Sequence, residues 1–523
     1  MNRQITSDNT SLLHIPVLLS FVYLSIPNFL FLTGWFHPVC SIIFVTAMIF
    51  VFLKCGRKEK QIQQQTDIAT NYKNLVLFIL GILLLMLYFI IAGVIGYFPT
   101  HGDSWAFRQA LFLNLKDAPW PLVLPNGREM TYYLAGMLPA ATLARMLPDF
   151  MQSWAILFWI MVPLTLTILF YRHRKEINIL LLIIMALGFQ DPLRALFRPN
   201  ATFGQGRGFM ADILTSLHQA TGFDFSVLTT YYGNQTLMAP FYNCIGAYNS
   251  VPTTILVCVL ILHLKKQAWL IPLAIAMLIP ISPLGAIACM PIALYYYLPH
   301  LSLKQLPTLL FPISLAMMFA VYFLRAESDM NVITAAWIAR GHEFWIFYAR
   351  YLIGSSLLLT PLYPQAKDCG LFWVLVGAVI IIPTIFIGSL PNLPIIHGFN
   401  ELFHKGSIIY SMLIIILWCE NWEKIWRPFR WAALSWATIA TVVFCYGQVK
   451  KWDPEHQIAD MWNGHLCHDR SFLNQSIPES KEAIVPNLIL TKSGEAENMF
   501  PGCLLPKGRK VDYSRKPHSQ AFP

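Results

Sequence analysis

Long apolar runs alternate with polar segments along most of the chain, and this pattern predicts its secondary structure. Many of the runs are close to the ~20 residues that an α-helix needs to cross a bilayer. The alternation of apolar and polar residues that is typical of a transmembrane β-barrel is missing from the sequence. We therefore predict an all-α polytopic membrane protein with about thirteen transmembrane helices. The predicted spans are 12–33, 38–54, 74–98, 152–171, 177–190, 238–263, 268–281, 284–298, 306–325, 346–362, 370–388, 406–419 and 430–447.

The composition supports this class and determines how the net charge is interpreted. Hydrophobic residues make up 56% of the chain and charged residues 12%, against about 25% charged residues in soluble proteins. The formal net charge is +10, but the basic residues cluster in short loops between apolar runs. That distribution is the positive-inside pattern of membrane proteins, so we expect membrane lipids as partners and no nucleic acid.

The basic loops also predict the orientation of the chain. Basic residues between positions 54 and 60 follow the second span, which places this loop and the N-terminus in the cytoplasm. The apolar segment 131–147 is short for a crossing and contains Pro139 and Arg145. If it crosses the membrane, the basic cluster at 171–175 lies outside. If it is re-entrant or interfacial, the cluster lies inside, and we adopt this second alternative.

With that orientation the chain divides into three parts. Residues 1–73 form an N-terminal transmembrane hairpin and a cytoplasmic loop, residues 74–448 form the main transmembrane domain, and residues 449–523 form an outer tail. We predict that the C-terminal tail lies on the outer side of the membrane, and the sequence leaves open whether Cys467 and Cys503 pair there. Loops on a rigid scaffold carry function disproportionately, so we expect the site on the outer face. Its loops are 99–130, 191–237, 326–345 and 389–405.

The first outer loop is the most polar interruption of the apolar pattern. Asp103 lies a few residues beyond the predicted end of the third span. The sequence WAFRQALFLNL at 105–115 predicts a short amphipathic helix, and a Pro-rich elbow follows. Tyr132 and Tyr133 then lead back into apolar sequence. If the protein does chemistry, we expect it at this loop.

The order of these features resembles the GT-C superfamily of polytopic glycosyltransferases, which use polyprenyl-phosphate sugars. In that superfamily a large outer loop opens with an acidic residue near the membrane and continues into an amphipathic helix. In most members the loop follows the first span, whereas here it follows the third, as if an N-terminal hairpin had been added. Two later stretches, at 240–252 and 398–408 (GFNELFHKGSI), also resemble bacterial members.

The resemblance implies a GT-C-like fold with interfacial helices in the first outer loop, and it implies sugar transfer from a lipid phosphate. This reaction needs a carboxylate that takes the acceptor proton or holds a metal, cationic groups for the phosphate, and an apolar groove. Asp103 is the candidate catalytic carboxylate, and the cofactor stays open, with a divalent metal as one alternative. The candidate substrate- and phosphate-binding residues are Arg108, Tyr132, Tyr133, Arg207, Arg340, His342, His404 and Lys405.

The candidates in the first loop also have structural interpretations. Asp103 is a suitable N-cap for the amphipathic helix. Arg108 fits the solvated face of the same helix. Tyr132 and Tyr133 are typical of an interfacial aromatic belt.

The candidates in the later loops have similar alternatives. Arg207 lies in a Gly-rich loop that fits neither the Walker nor the dinucleotide-binding pattern. Arg340 and His342 fit interfacial anchors, and His404 belongs to the same polar run as Lys405. Lys405 lies at the mouth of a span, where a lysine can snorkel toward the interface.

The resemblance therefore leads to the hypothesis of a bacterial inner-membrane glycosyltransferase with a periplasmic or extracellular C-terminal tail. It would move a sugar from a polyprenyl-phosphate donor to a lipid, glycan or protein acceptor on the outer face. One alternative is a lipid or glycan transporter or flippase, which predicts charged residues buried within the spans. The predicted spans contain few such residues, which favours the enzyme. A further alternative is a non-catalytic protein of cell-envelope assembly.

Overall fold

The computed structural model describes most of the apolar part of the chain. The described residues are 14–56, 68–94, 111–112, 114–122, 133–148, 151–172, 174, 177–189, 239–302, 306–324, 326–327, 331–336, 338, 342–389, 401–450 and 479–480.

Helices make up nearly all of this structure. They are α1 (His14–Trp35), α2 (Pro38–Gly56), α3 (Ile68–Ile91), α4 (Leu138–Ala144), α5 (Gln152–Leu169), α6 (Ile179–Gly188), α7 (Val251–His263), α8 (Ile271–Leu278), α9 (Pro283–Tyr297), α10 (Leu306–Leu324), α11 (His342–Leu359), α12 (Gly370–Ile381), α13 (Glu401–Glu420) and α14 (Arg427–Lys450). Short helical turns occur at Asn243–Gly246 and Tyr363–Ala366, and 3-10 turns at Leu264–Leu270, Leu298–His300, Thr360–Leu362, Ile382–Thr384 and Trp422–Lys424.

The predicted helical class is confirmed, since each predicted span overlaps one of these helices. Five helices, α1, α3, α10, α13 and α14, are long and apolar enough to cross a membrane by length and composition. Apolar helices of this length are typical of membrane proteins. The total number of crossings stays a prediction.

Several predicted spans have different ends in the structure, and three of the differences have a local cause or change the type of element. Helix α3 ends at Ile91, before the predicted residue 98, because Gly93 has φ 85° and the backbone N–H of Val94 bonds the Phe89 carbonyl. In the predicted span 238–263 the helix begins only at Val251, after a series of turns. The predicted span 370–388 ends as a strand, because its last residues are rich in β-branched and aromatic side chains.

Helix α13 is the centre of the bundle. Its residues from Leu402 to Cys419 are buried or half-buried throughout, and it packs against α6, α7, α9 and α12. A helix that is apolar on all sides is stable only when other helices surround it, which explains this position. By contrast, α2, α3 and α14 expose many large apolar side chains, as expected of helices that face lipid.

Within the described residues 133–147, the structure contains one seven-residue helix, α4. At 1.5 Å per residue this helix is about 10 Å long, whereas the hydrocarbon core of a bilayer is about 30 Å thick. Whether this segment crosses the membrane or is re-entrant stays a prediction. Pro139 lies in its first turn, where the missing N–H costs nothing.

Different parts of the chain lie at the two ends of α13. We call these ends the Glu420 end and the Lys405 end. At the Glu420 end, Arg174 contacts Glu420, and Gln365 Nε2 donates to the Lys424 carbonyl at 3.1 Å. The electrostatic influence of Arg174 and Glu420 also reaches Lys265. Basic segments that the positive-inside rule assigns to one side of the membrane therefore lie together in space.

Two short antiparallel ladders join segments that are distant in sequence, and one of them packs against α13. Strand β2 (Asn331–Ala335) pairs with β3 (Ile385–Ser389), and β3 packs against α13. Strand β1 (Ala326–Glu327) pairs with β4 (Glu479–Ser480) of the C-terminal tail. The sequence pattern predicted neither ladder.

Candidate functional site

A buried lysine at the start of α13 is the centre of the candidate site. Lys405 is only 5% exposed, and its Nζ donates to the Oγ of Ser250 at 2.8 Å. Ser250 is fully buried and directly precedes α7. A serine hydroxyl accepts one of the three ammonium donors and carries no charge. Burying an ammonium in an apolar bundle is costly, so such a residue is a functional candidate by default.

Other polar side chains are buried in the same region of the bundle. Tyr23 of α1 is within 2.8 Å of Thr253 Oγ1 in α7, which links these two helices through their hydroxyl groups. The amide of Asn243 donates to the Ala239 carbonyl at 2.8 Å. The further buried polar residues on α13 and on the residues around the start of α7 are Asn249, Thr254, Ser407 and Ser411.

The end of the first outer loop packs directly against this region. A Cβ atom on Gly136 would lie 1.8 Å from the Asn249 carbonyl oxygen, so only glycine permits this close approach. Tyr133, three residues earlier, is half-buried. The segment after the first loop therefore contacts the residue next to Ser250.

Helix α11 reaches the same place through aromatic contacts. The ring of Phe403 meets Phe347 edge-on at 5.4 Å and Tyr351 at 5.0 Å between centroids. Phe403 lies two residues before Lys405, and Arg350, which is 5% exposed, precedes Tyr351. The start of α13 is thereby packed against the helix that follows the third outer loop.

The structure places some of the predicted site residues in this arrangement. His404 and Lys405 lie near the start of α13, and Tyr133 is half-buried three residues before Gly136. His342 is the first residue of α11. Asp103, Arg108, Tyr132, Arg207 and Arg340 lie outside the described residues.

Sequence reasoning missed two members of the site. Arg350 has a signal in the sequence, because it is a charged residue inside the predicted apolar span 346–362. Ser250 has none, because a serine near a helix start is common and says nothing about its partner. Only the packing of α7 against α13 reveals that Ser250 contacts a lysine.

The predicted outer loops thus lead into elements that meet around Lys405. The residues after the first loop contribute Gly136, the residues after the second contribute Asn249 and Ser250, and the fourth loop contributes Lys405 itself. The β2–β3 ladder joins the third loop to the residues just before the fourth. A cation in low-dielectric surroundings attracts an anion far more strongly than in water, so this arrangement is suited to hold an anionic group.

The described residues contain no group of three or more His, Cys, Asp or Glu side chains that is suited to hold a metal ion. The candidate metal ligand Asp103 lies outside them. In the described part of the site, the buried ammonium of Lys405 lies beside the hydroxyl of Ser250.

Neither family models nor curated proteins nor solved structures match this chain. The resemblance to the GT-C superfamily therefore rests on sequence features alone.

Proposed function

We propose that the protein is a membrane glycosyltransferase. It takes a sugar from a polyprenyl-phosphate-linked donor and transfers it to a lipid, glycan or protein acceptor on the outer face of the membrane. The observation that carries the proposal is the buried contact between Lys405 and Ser250 at the point where elements next to the outer loops converge. An anionic lipid phosphate is a suitable ligand for a lysine in such surroundings.

We propose a GT-C-like architecture with thirteen crossings in a bacterial inner membrane. The N-terminus is cytoplasmic and the C-terminal tail is periplasmic or extracellular. The grouping of Arg174, Lys265 and Lys424 at the Glu420 end supports this orientation, because the positive-inside rule assigns basic loops to the cytoplasm. Alkaline phosphatase fused after residue 266 or 424 should be inactive, and fused after residue 340 or 400 it should be active. The reverse pattern would overturn the orientation.

In this proposal each group has a defined role. Asp103 takes the proton of the acceptor hydroxyl or holds a divalent metal, and Lys405 neutralises the donor phosphate. The cations Arg108, Arg207, Arg340, His342 and His404 add to the phosphate site, and Tyr132 and Tyr133 stack on the sugar. The apolar helices that face lipid offer a surface for the polyprenyl chain.

The test uses the full chain in lipid nanodiscs with a panel of radiolabelled undecaprenyl-phosphate sugars and a membrane extract as acceptor. Asp103→Asn should abolish transfer while leaving insertion and thermal stability unchanged. Asp117→Asn is the matched control, because Asp117 is partly exposed and pairs with its neighbour Lys116 at 3.0 Å. Transfer by Asp103→Asn at the wild-type rate would remove Asp103 from the mechanism.

One observation favours the transporter as a second candidate. Arg350 and Lys405 are both buried in the bundle, and buried charges mark the pathways of transporters. Proteoliposomes with a fluorescent polyprenyl-phosphate lipid separate the two. An enzyme yields a glycosylated product without faster lipid translocation, and a flippase yields translocation without product. Binding without either activity would favour the non-catalytic assembly protein.

A further inference from the structure

The elbow after the amphipathic segment of the first outer loop is fixed to α1 by Trp120. Its ring lies 5.9 Å from the ring of Trp35 at an interplanar angle of 28°. Its Cβ and ring lie against Gly34, where an added Cβ would be only 3.2 Å from Trp120 Cβ. The indole N–H donates to the Leu115 carbonyl at 2.9 Å, so the tryptophan also holds the chain that precedes it.

Arg145, just after α4, binds the same elbow from the other side. Its Nε donates to the Lys116 carbonyl at 2.6 Å, and one terminal nitrogen donates to the carbonyls of Leu115 at 2.9 Å and Ala118 at 2.8 Å. Its Cζ lies 4.7 Å from the centroid of the Trp120 ring. One guanidinium therefore contacts three backbone carbonyls and one aromatic face.

These carbonyls belong to the end of a helical segment. Residues 111–112 and 114–117 are helical, and the Ala118 N–H bonds the Asn114 carbonyl at 2.9 Å. The last carbonyls of a helix lack partners within the helix, and a cation at this end also suits the helix dipole. Arg145 therefore supplies the C-terminal cap from a residue about thirty positions later in the sequence.

We propose that Arg145 is a positioning residue that attaches the first outer loop to the bundle. The loop carries the candidate carboxylate near its start, and the contacts of Arg145 and Trp120 fix residues 115–120 in its middle to α1 and to the end of α4. An arginine is required because a planar fork of donors reaches several carbonyls while it stacks on an indole. A lysine offers a charge but no flat face. The effect on catalysis rests on the proposed function, whereas the attachment itself does not.

The first readout is hydrogen exchange of the full chain in nanodiscs. In Arg145→Ala the amides of residues 115–118 should exchange about tenfold faster, the factor expected when hydrogen bonds to a charged group are lost. Arg145→Lys and Trp120→Phe should raise the exchange rate by an intermediate factor. Because these substitutions are milder, they carry the test if Arg145→Ala does not fold. Arg427→Ala is the control, because Arg427 is an exposed arginine at the Glu420 end. Unchanged exchange in Arg145→Ala and Arg145→Lys would overturn the attachment.

The second readout is transfer from radiolabelled undecaprenyl-phosphate sugar. Arg145→Ala should lower kcat about tenfold and leave the donor KM within about twofold, since a displaced loop slows the reaction without removing phosphate ligands. Faster exchange with unchanged kcat would overturn the positioning role. Absence of transfer from the wild-type chain would overturn the proposed function and the positioning role together, while exchange would still report whether Arg145 holds the loop.

Discussion

Arg174 donates a hydrogen bond to Glu420 across 2.5 Å and joins the segment after α5 to the last residue of α13. Both side chains are more than 30% exposed, so the pair adds little stability by itself. Its position is more informative, because an arginine suits the C-terminal end of a helix. The contact fixes the Glu420 end of the central helix opposite the buried lysine.

The same pair controls the charge of a neighbouring lysine. Partial burial lowers the pKa of Lys265, Arg174 lowers this pKa further, and Glu420 raises it. Glu420→Gln should therefore lower the pKa of Lys265 again, and Arg174→Gln should raise it. A lysine of lower pKa is more often neutral at a given pH, so acetylation of Lys265 should become faster in the first variant and slower in the second.

The measurement is the acetylation rate of each lysine by mass spectrometry between about pH 7 and pH 10. Lys367 in the same digest corrects for reagent concentration. A change in the same direction in both variants would contradict the arrangement of Lys265 between the two charges.

Ser250→Ala should destabilise the protein because it removes a partner of the buried ammonium of Lys405. The expected loss is about 1.5–3 kcal/mol, the range for hydrogen bonds to charged groups. Ser411→Ala is the matched control, since Ser411 is a buried serine on α13. Thermal unfolding in detergent compares the two. A double-mutant cycle with Lys405→Met should return a coupling energy of similar size, and a coupling near zero would argue against the contact.

The sequence predicted the bundle well because helix length and apolarity are local properties. It placed the start of α13 at residue 406, whereas the helix begins at Glu401. The start of this helix contains the ionisable residues Glu401, His404 and Lys405. From sequence alone, three ionisable residues so close together indicate an exposed loop. Burial comes from the surrounding helices, which no local pattern reveals.

The candidate site could be predicted only in part for the same reason. Lys405 was identifiable because a lysine at the mouth of an apolar run is unusual. Its partner Ser250 was included in the predicted span 238–263, because the sequence FYNCIGAYNS contains few charges and does not mark the turns before α7. The ladders that join the loops depend on residues distant in sequence, so the order of apolar runs carries no information about them.

The β2–β3 ladder predicts a specific cross-link between the third and fourth outer segments. Ala335 and Ile385 are paired, and side chains of paired residues have Cβ atoms about 4.5–5.5 Å apart, close enough for a disulfide after small adjustments. Ala335→Cys with Ile385→Cys should form a bond on mild oxidation, detected by peptide mapping. Ala335→Cys with Ile387→Cys is two residues out of register and should react far less. Equal yields would contradict the register.

Gly136→Ala tests whether the first outer loop ends against the site. An added Cβ would lie 1.8 Å from the backbone oxygen of Asn249, and backbone cannot move aside as a flexible side chain does. We expect the free energy of unfolding to fall by an amount near the upper end of the range of about 1–3 kcal/mol that is typical of overpacking. We also expect undecaprenyl phosphate to bind more weakly at the Lys405 end.

Gly377→Ala is the matched control within α12, where an added Cβ meets nothing within 4 Å. That variant should gain slightly in stability, because alanine favours a helix over glycine by about 1 kcal/mol. Thermal unfolding and lipid binding measured on both variants would separate a local clash from a general intolerance of the bundle, and equal stability of the two would place residue 136 away from Asn249.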